Sequence, residues 1–137
     1  MMRNSAEYIT KVTAWAKDSD EVISLALVGS YARNQARPDS DIDFMILCED
    51  KNYLLKKVSW LVIFGEPARI EKEEWGVVDA YRVYYQDGPE IEFGIANIGW
   101  ADIPVDAGTR QVVTDGMQIL VDKTGLLGNL QESIRLK

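Results

Sequence analysis

Two aspartates separated by one residue, Asp41 and Asp43, open the run DIDFMILC. On an extended strand such positions point from one face with backbones roughly 6 to 7 Å apart, so both carboxylates can grip one cation. Held partly buried without a counter-ion, the two acids repel and raise each other's pKa; a site that keeps both ionised calls for magnesium or a basic partner. The alternative for such a pair is a solvated strand face. Upstream, the apolar run EVISLALVG ends at Gly29 and Ser30 follows. Small residues after a strand let backbone N–H groups approach phosphate oxygens, and the serine hydroxyl adds a donor. Arg33 and Arg37, in the short basic turn that follows Gly-Ser within GSYARNQARPDSDIDF, are candidates to neutralise phosphate charge.

The rest of the composition narrows the chemistry. Histidine is absent, which removes Ser-His-Asp and Cys-His nucleophilic schemes, His-ligated zinc and histidine acid–base catalysis. Carboxylates, lysines, arginines, hydroxyls or a hard metal must do the work. Cys48 is the single cysteine, so no internal disulfide can form, and it reads as a buried structural thiol in a cytoplasmic protein. A formal charge of −7, from 15 Lys+Arg against 22 Asp+Glu, disfavours duplex nucleic acid and suits a cationic small substrate. No apolar run is long enough for a signal peptide or a membrane span. At 137 residues the chain is expected to form a single domain, 1–137.

The elements that must position these residues follow from periodicity. Asn4 can cap a first helix whose stripe is Tyr8, Ile9, Val12, Trp15 and Ala16, ending near Asp18. Residues 21–29 form a buried strand, then a helical turn and loop containing Pro38, then a second strand at 41–48 with Ile42, Phe44 and Ile46 on one face and Asp41, Asp43 and Met45 on the other. A helix is predicted from about Asn52 to Phe64, stopped at Gly65 and Pro67. Strands near 77–86 and 90–97 flank Asp87-Gly88, with Pro89 blurring the register. A helix over about 106–115, a strand MQILVD, a turn DKTG and a last helix complete the chain. Trp15, Trp60, Trp75 and Trp100 read as core or rim, and the run Glu66, Glu71, Glu73 and Glu74 as a solvated face that could alternatively meet a cationic acceptor.

Gly-Ser, a spacer and Asp-x-Asp opening a strand resemble the signature of the DNA polymerase beta nucleotidyltransferase superfamily, particularly its small bacterial members and the catalytic domains of aminoglycoside adenylyltransferases. The resemblance runs over about Leu25 to Glu49 and again over Tyr84 to Asn97. It implies an α+β, two-layer fold with a mixed sheet and helices packed mainly on one face. In that family the third carboxylate lies on a later strand between two hydrophobic residues; Ile91-Glu92-Phe93 matches, and Glu90 on the same face is the rival. Many small members carry glycine where this chain has Asn34, a residue that tolerates a left-handed backbone better than most.

What the resemblance implies is transfer of a nucleoside monophosphate, AMP from ATP, to a hydroxyl of a small-molecule or protein acceptor. Asp41, Asp43 and Glu92 would be catalytic and metal-binding, holding two Mg2+ ions. Gly29, Ser30, Arg33, Arg37 and Ser40 would bind the nucleotide. A homodimer could complete the site. Two other readings stay open: an antitoxin-like domain that binds a partner protein, and a catalytically silent nucleotide-binding domain.

Overall fold

The computed structural model describes residues 5–33, 40–86, 88–102 and 105–135. Six strands form one mixed sheet in the order β3-β4-β5-β2-β1-β6. They are β1 (Val22–Val28), β2 (Ile42–Cys48), β3 (Pro67–Trp75), β4 (Val78–Tyr85), β5 (Glu90–Asn97) and β6 (Met117–Asp122). Every neighbouring pair is antiparallel except the central pair, β2 and β5, which runs parallel.

Alternation along the strands sorts two cores. Leu25, Leu27, Ile42, Phe44, Ile46, Ile91, Phe93 and Ile95 pack against Tyr8, Val12 and Ala16 of α1 (Ser5–Asp18) and against Leu54, Trp60, Leu61 and Phe64. The intervening positions Ala26, Met45, Leu47 and Ala96 are apolar as well. They meet Trp100, Val113 of α4 (Ala107–Asp115), and Leu127 and Leu130 of α5 (Leu126–Arg135). The α+β class and the mixed sheet are as expected. The helices, expected mainly on one face, cover parts of both, because central strands that are apolar on alternate sides need cover on both.

Two local expectations fail for identifiable reasons. The helix predicted from Asn52 to Phe64 is broken: α3 spans only Asn52–Lys56, Lys57 is extended, and a 3-10 turn covers Ser59–Ile63. Side chains take the carbonyls that a longer helix would use, with Trp60 Nε1 donating to Leu54 O at 3.0 Å and the Tyr81 hydroxyl to Leu55 O at 3.0 Å. The break sends Trp60 into a stack on Trp15, centroids 4.9 Å apart, with its edge against Phe93. The second miss is β3, whose charge-rich sequence conceals an edge strand paired with β4 along its length and turned at Gly76, where φ is 72°.

The remaining boundaries agree closely with the periodicity. Strands expected at 77–86 and 90–97 are Val78–Tyr85 and Glu90–Asn97. Asn4, proposed as the first cap, and Asp87 lie outside the described residues. At α4 the Asp106 carboxylate accepts from the backbone N–H of Gly108 at 2.9 Å and of Thr109 at 3.4 Å. Asp106→Ala is expected to cost about 1 kcal/mol, seen as a lower urea midpoint at unchanged slope. Among the described residues no helix is long and apolar enough to cross a membrane.

Candidate functional site

The site begins where β1 ends. Val28 is extended, Gly29 swings to φ 73°, and the chain enters the helical turn α2 (Gly29–Ala32). Val28 is the register partner of Asp43 on β2, so the turn sits directly beside that carboxylate. A Cβ built at position 29 would lie 2.5 Å from Asp43 Oδ2. Glycine is therefore required here twice, for the left-handed backbone and for the close approach of the acid. Ser30 follows, half-buried, at the start of the turn. Exposed Arg33 closes it, its N–H donating to Gly29 O at 3.3 Å, and its charge favours ionised Asp43. Ser40 is half-buried just before Asp41. Arg37, Asn34, Pro38 and Asp39 fall outside the described residues.

Parallel pairing of β2 with β5 puts Glu92 in register with Asp43, and antiparallel pairing of β5 with β4 puts Arg82 in register with Glu92. The period of two sends all three to the same face. Glu90 shares that face and has Tyr84 as its register partner. Asp41, just ahead of β2, reaches the same place. Pro89 does not disturb the register at Glu92.

Arg82 stands at the centre of these acids. Its Nη1 donates to Asp41 Oδ2 at 3.1 Å and to Glu90 Oε2 at 2.5 Å, its Nη2 donates to Glu92 Oε2, and its Nε reaches Glu73 Oε2 at 3.5 Å. Burial opposes the guanidinium charge, and Glu90, Glu92 and Glu73 outweigh it, so the arginine is held more firmly protonated than usual. Among the described residues no three carboxylates already form a metal-ligating set; Arg82 takes the oxygens instead.

Sequence reasoning missed Arg82 and Glu73. Arg82 had a signal: a lone cation on the alternate face of the apolar run VVDAYRVYYQ. Glu73 was submerged in its charged run. Of that run, Glu66, Glu71 and Glu74 are exposed, as a solvated face requires, whereas Glu73 turns inward to Arg82.

The acids carry the strain of this crowding. Asp43 is raised from 3.8 to about 6, by burial first and then by Asp41. Glu92 is raised from 4.5 to about 7, by burial first and then by a hydrogen bond shared with Glu73, which is correspondingly lowered. With both ionised, the buried Glu73 Oε1 has no hydrogen-bond partner. The hard oxygen donors of Asp41, Asp43 and Glu92, two of them disfavoured as anions, fit a divalent cation such as magnesium.

A pH dependence follows. Carboxyls whose folded pKa exceeds the unfolded value contribute stability that is present below the unfolded value, and this is lost as pH rises through the folded one. In chelator, the contribution from Asp43 and Glu92 should therefore be full near pH 4 and fall away up to about pH 7. Thermal melts across that range, in Asp43→Asn and the parent, isolate it. A contribution from Asp43 that grows with pH would refute the assignment.

Beside Glu92 lies an open groove of about 360 Å³, lined by Val28, Met45, Trp75, Gly94, Trp100 and Asp106 among others. A second groove, of about 520 Å³, continues past Trp100 towards Lys51 and lacks the site carboxylates. Trp15 and Trp60 are core; Trp75 is 63% exposed on the groove rim. Cys48 is buried, and burial pushes its thiol up to about 12, an inert structural group.

The chain is 29% identical over 139 residues to an aminoglycoside 6-adenylyltransferase of Staphylococcus aureus, covering 92% of this chain and 46% of that protein. It is 43% identical over 47 residues to a provisionally named protein adenylyltransferase of Methanocaldococcus jannaschii, covering 34% of this chain and 47% of the relative. The chain thus spans about half the length of the curated relatives it matches. Its fold is that of an aminoglycoside 6-adenyltransferase from Bacillus subtilis, with a TM-score of 0.60 at 19% identity over 73% of this chain and 37% of the other. The streptomycin adenylyltransferase family model matches residues 2–135, nearly the whole chain, and the chain belongs to that family of nucleotidyltransferases.

Proposed function

We propose that this chain is a magnesium-dependent adenylyltransferase domain that moves AMP from ATP to a hydroxyl of an acceptor. The observation that carries the reading is the pairing of Asp43 with Glu92 on the parallel central strands, beside a left-handed glycine whose missing Cβ makes room for Asp43. Gly29 and Ser30 would receive the terminal phosphates, with Arg33 and Arg37 offsetting their charge and Ser40 donating nearby. Asp41, Asp43 and Glu92 are the residues that would hold magnesium, which when bound supplies positive charge to the triphosphate.

The chain's own residues account for the transfer. The acceptor oxygen bonds to the α-phosphorus, the bond from that phosphorus to the β-phosphate's bridging oxygen breaks, and pyrophosphate leaves. Glu92, in the groove wall, would take the acceptor's proton. The groove that includes Glu92 in its wall is the candidate place for the acceptor. Among the described residues that line it none is basic, a lining suited to neutral or cationic acceptors over phosphorylated ones.

The test is incubation with ATP labelled on the α-phosphate, magnesium, and two acceptor panels, aminoglycosides and hydroxyl-bearing proteins. Label on an acceptor with matching pyrophosphate release supports the reading. Calorimetry showing no magnesium-dependent ATP binding, together with no transfer, overturns it.

A further inference from the structure

We infer that Arg82 is a positioning residue that acts as the site's resident counter-ion: it holds Asp41 and Glu92 in the metal-free protein and gives them up when the divalent ion binds. The inference rests on the adenylyltransferase reading above and concerns how that site is regulated. Three of the four carboxylates on Arg82 belong to different chain segments: Asp41 leads into β2, Glu73 lies on β3, and Glu92 on β5. Glu90 precedes Glu92 on β5 and shares Nη1 with Asp41. The Arg82 side chain is only 20% exposed, and its guanidinium reaches all four with three nitrogens. No single-headed cation could do this, because the planar fork presents its donors in several fixed directions at once.

Two of those partners, Asp41 and Glu92, are also in the proposed ligand set. An oxygen that accepts from a guanidinium is a poorer ligand for a dication, since the two cations repel across a short, partly desolvated gap. Ion binding must therefore loosen Arg82 from Asp41 and Glu92. Glu73 and Glu90, outside the ligand set, remain to hold the displaced guanidinium, which then balances the charge of the surplus acids. The arrangement sets a threshold for metal affinity and keeps Glu92 oriented until the ion arrives.

The experiment is titration of Mn2+ and Mg2+, in the presence of a non-hydrolysable ATP analogue, into the parent chain, Arg82→Gln and Arg82→Lys, with steady-state kinetics alongside. Displacement predicts tighter metal binding in both variants, by about tenfold, with kcat reduced and KM for ATP little changed. Arg82→Lys is decisive because it keeps the charge and loses the fork. A folded lysine variant with unchanged or weaker metal affinity overturns the inference, even where Arg82→Gln fails to fold. A parent chain that binds magnesium and ATP normally while the lysine variant behaves identically removes only the role of Arg82. A parent chain with no magnesium-dependent nucleotide binding removes the functional reading as well.

Discussion

Asp43→Asn should lower adenylyl transfer by on the order of 10³-fold while leaving the metal-free protein as stable as the parent, or more so, at pH 8. Two opposed consequences come from one carboxylate. Asp43 is half-buried beside Asp41 and is raised to about 6, so at pH 8 its ionised form is held against desolvation and like-charge repulsion. Asparagine keeps the shape and removes that cost. The same substitution removes a charge aimed at the turn proposed to bind phosphate, where Gly29 approaches Asp43 Oδ2 so closely that no Cβ fits. Transfer assays and thermal melts in chelator read the two effects separately. A variant that loses transfer and stability together would show that Asp43 is a structural group, and an active Asp43→Asn would remove it from the chemistry.

The second large effect is expected at Gly29. An alanine there must adopt φ near 73°, which costs about 1–2 kcal/mol for an L residue. Its methyl would also stand 2.5 Å from Asp43 Oδ2, so either the turn or the carboxylate has to move. A displacement near 1 Å at a reacting centre lowers rates by on the order of 10²-fold. Gly29→Ala should therefore fold with a lower melting temperature and show weakened magnesium-dependent ATP binding. Alanine at Gly76, whose φ of 72° is similar but whose Cβ would meet nothing within 4 Å, serves as the control: it should lose stability and keep nucleotide binding. Equal nucleotide binding in the two variants would show that left-handed strain alone, and not contact with Asp43, matters at Gly29.

The contrast between those two glycines explains what could be read from the sequence. Gly29, Ser30, Asp41 and Asp43 are close in the chain, and a strand ending, a tight turn and a period-two pair leave local signatures that need no knowledge of the sheet. Glu92 could be named only through its flanking Ile91 and Phe93, because its place beside Asp43 depends on a parallel pairing that composition does not record. Arg82 and Glu73 escaped for the same reason. Each becomes part of the site through cross-strand register, Arg82 opposite Glu92 and Glu73 by reach across β4. The broken helix at 52–64 has another cause. Trp60 and Tyr81 cap carbonyls of α3 from a distance, a tertiary override of a helical pattern that was locally adequate.

The edge strand β3 carries a consequence beyond the site. An open edge offers a row of unpaired backbone groups on which another chain could build, a route to aggregation that charged side chains suppress. Residues 71–74 of β3 read Glu-Lys-Glu-Glu, with Arg69 just before them. The same crowd of like and unlike charges that disguised this segment as a solvated face also discourages end-on growth of the sheet. One of those guards, Glu73, turns inward to grip Arg82, so solubility and site chemistry draw on one short stretch of sequence.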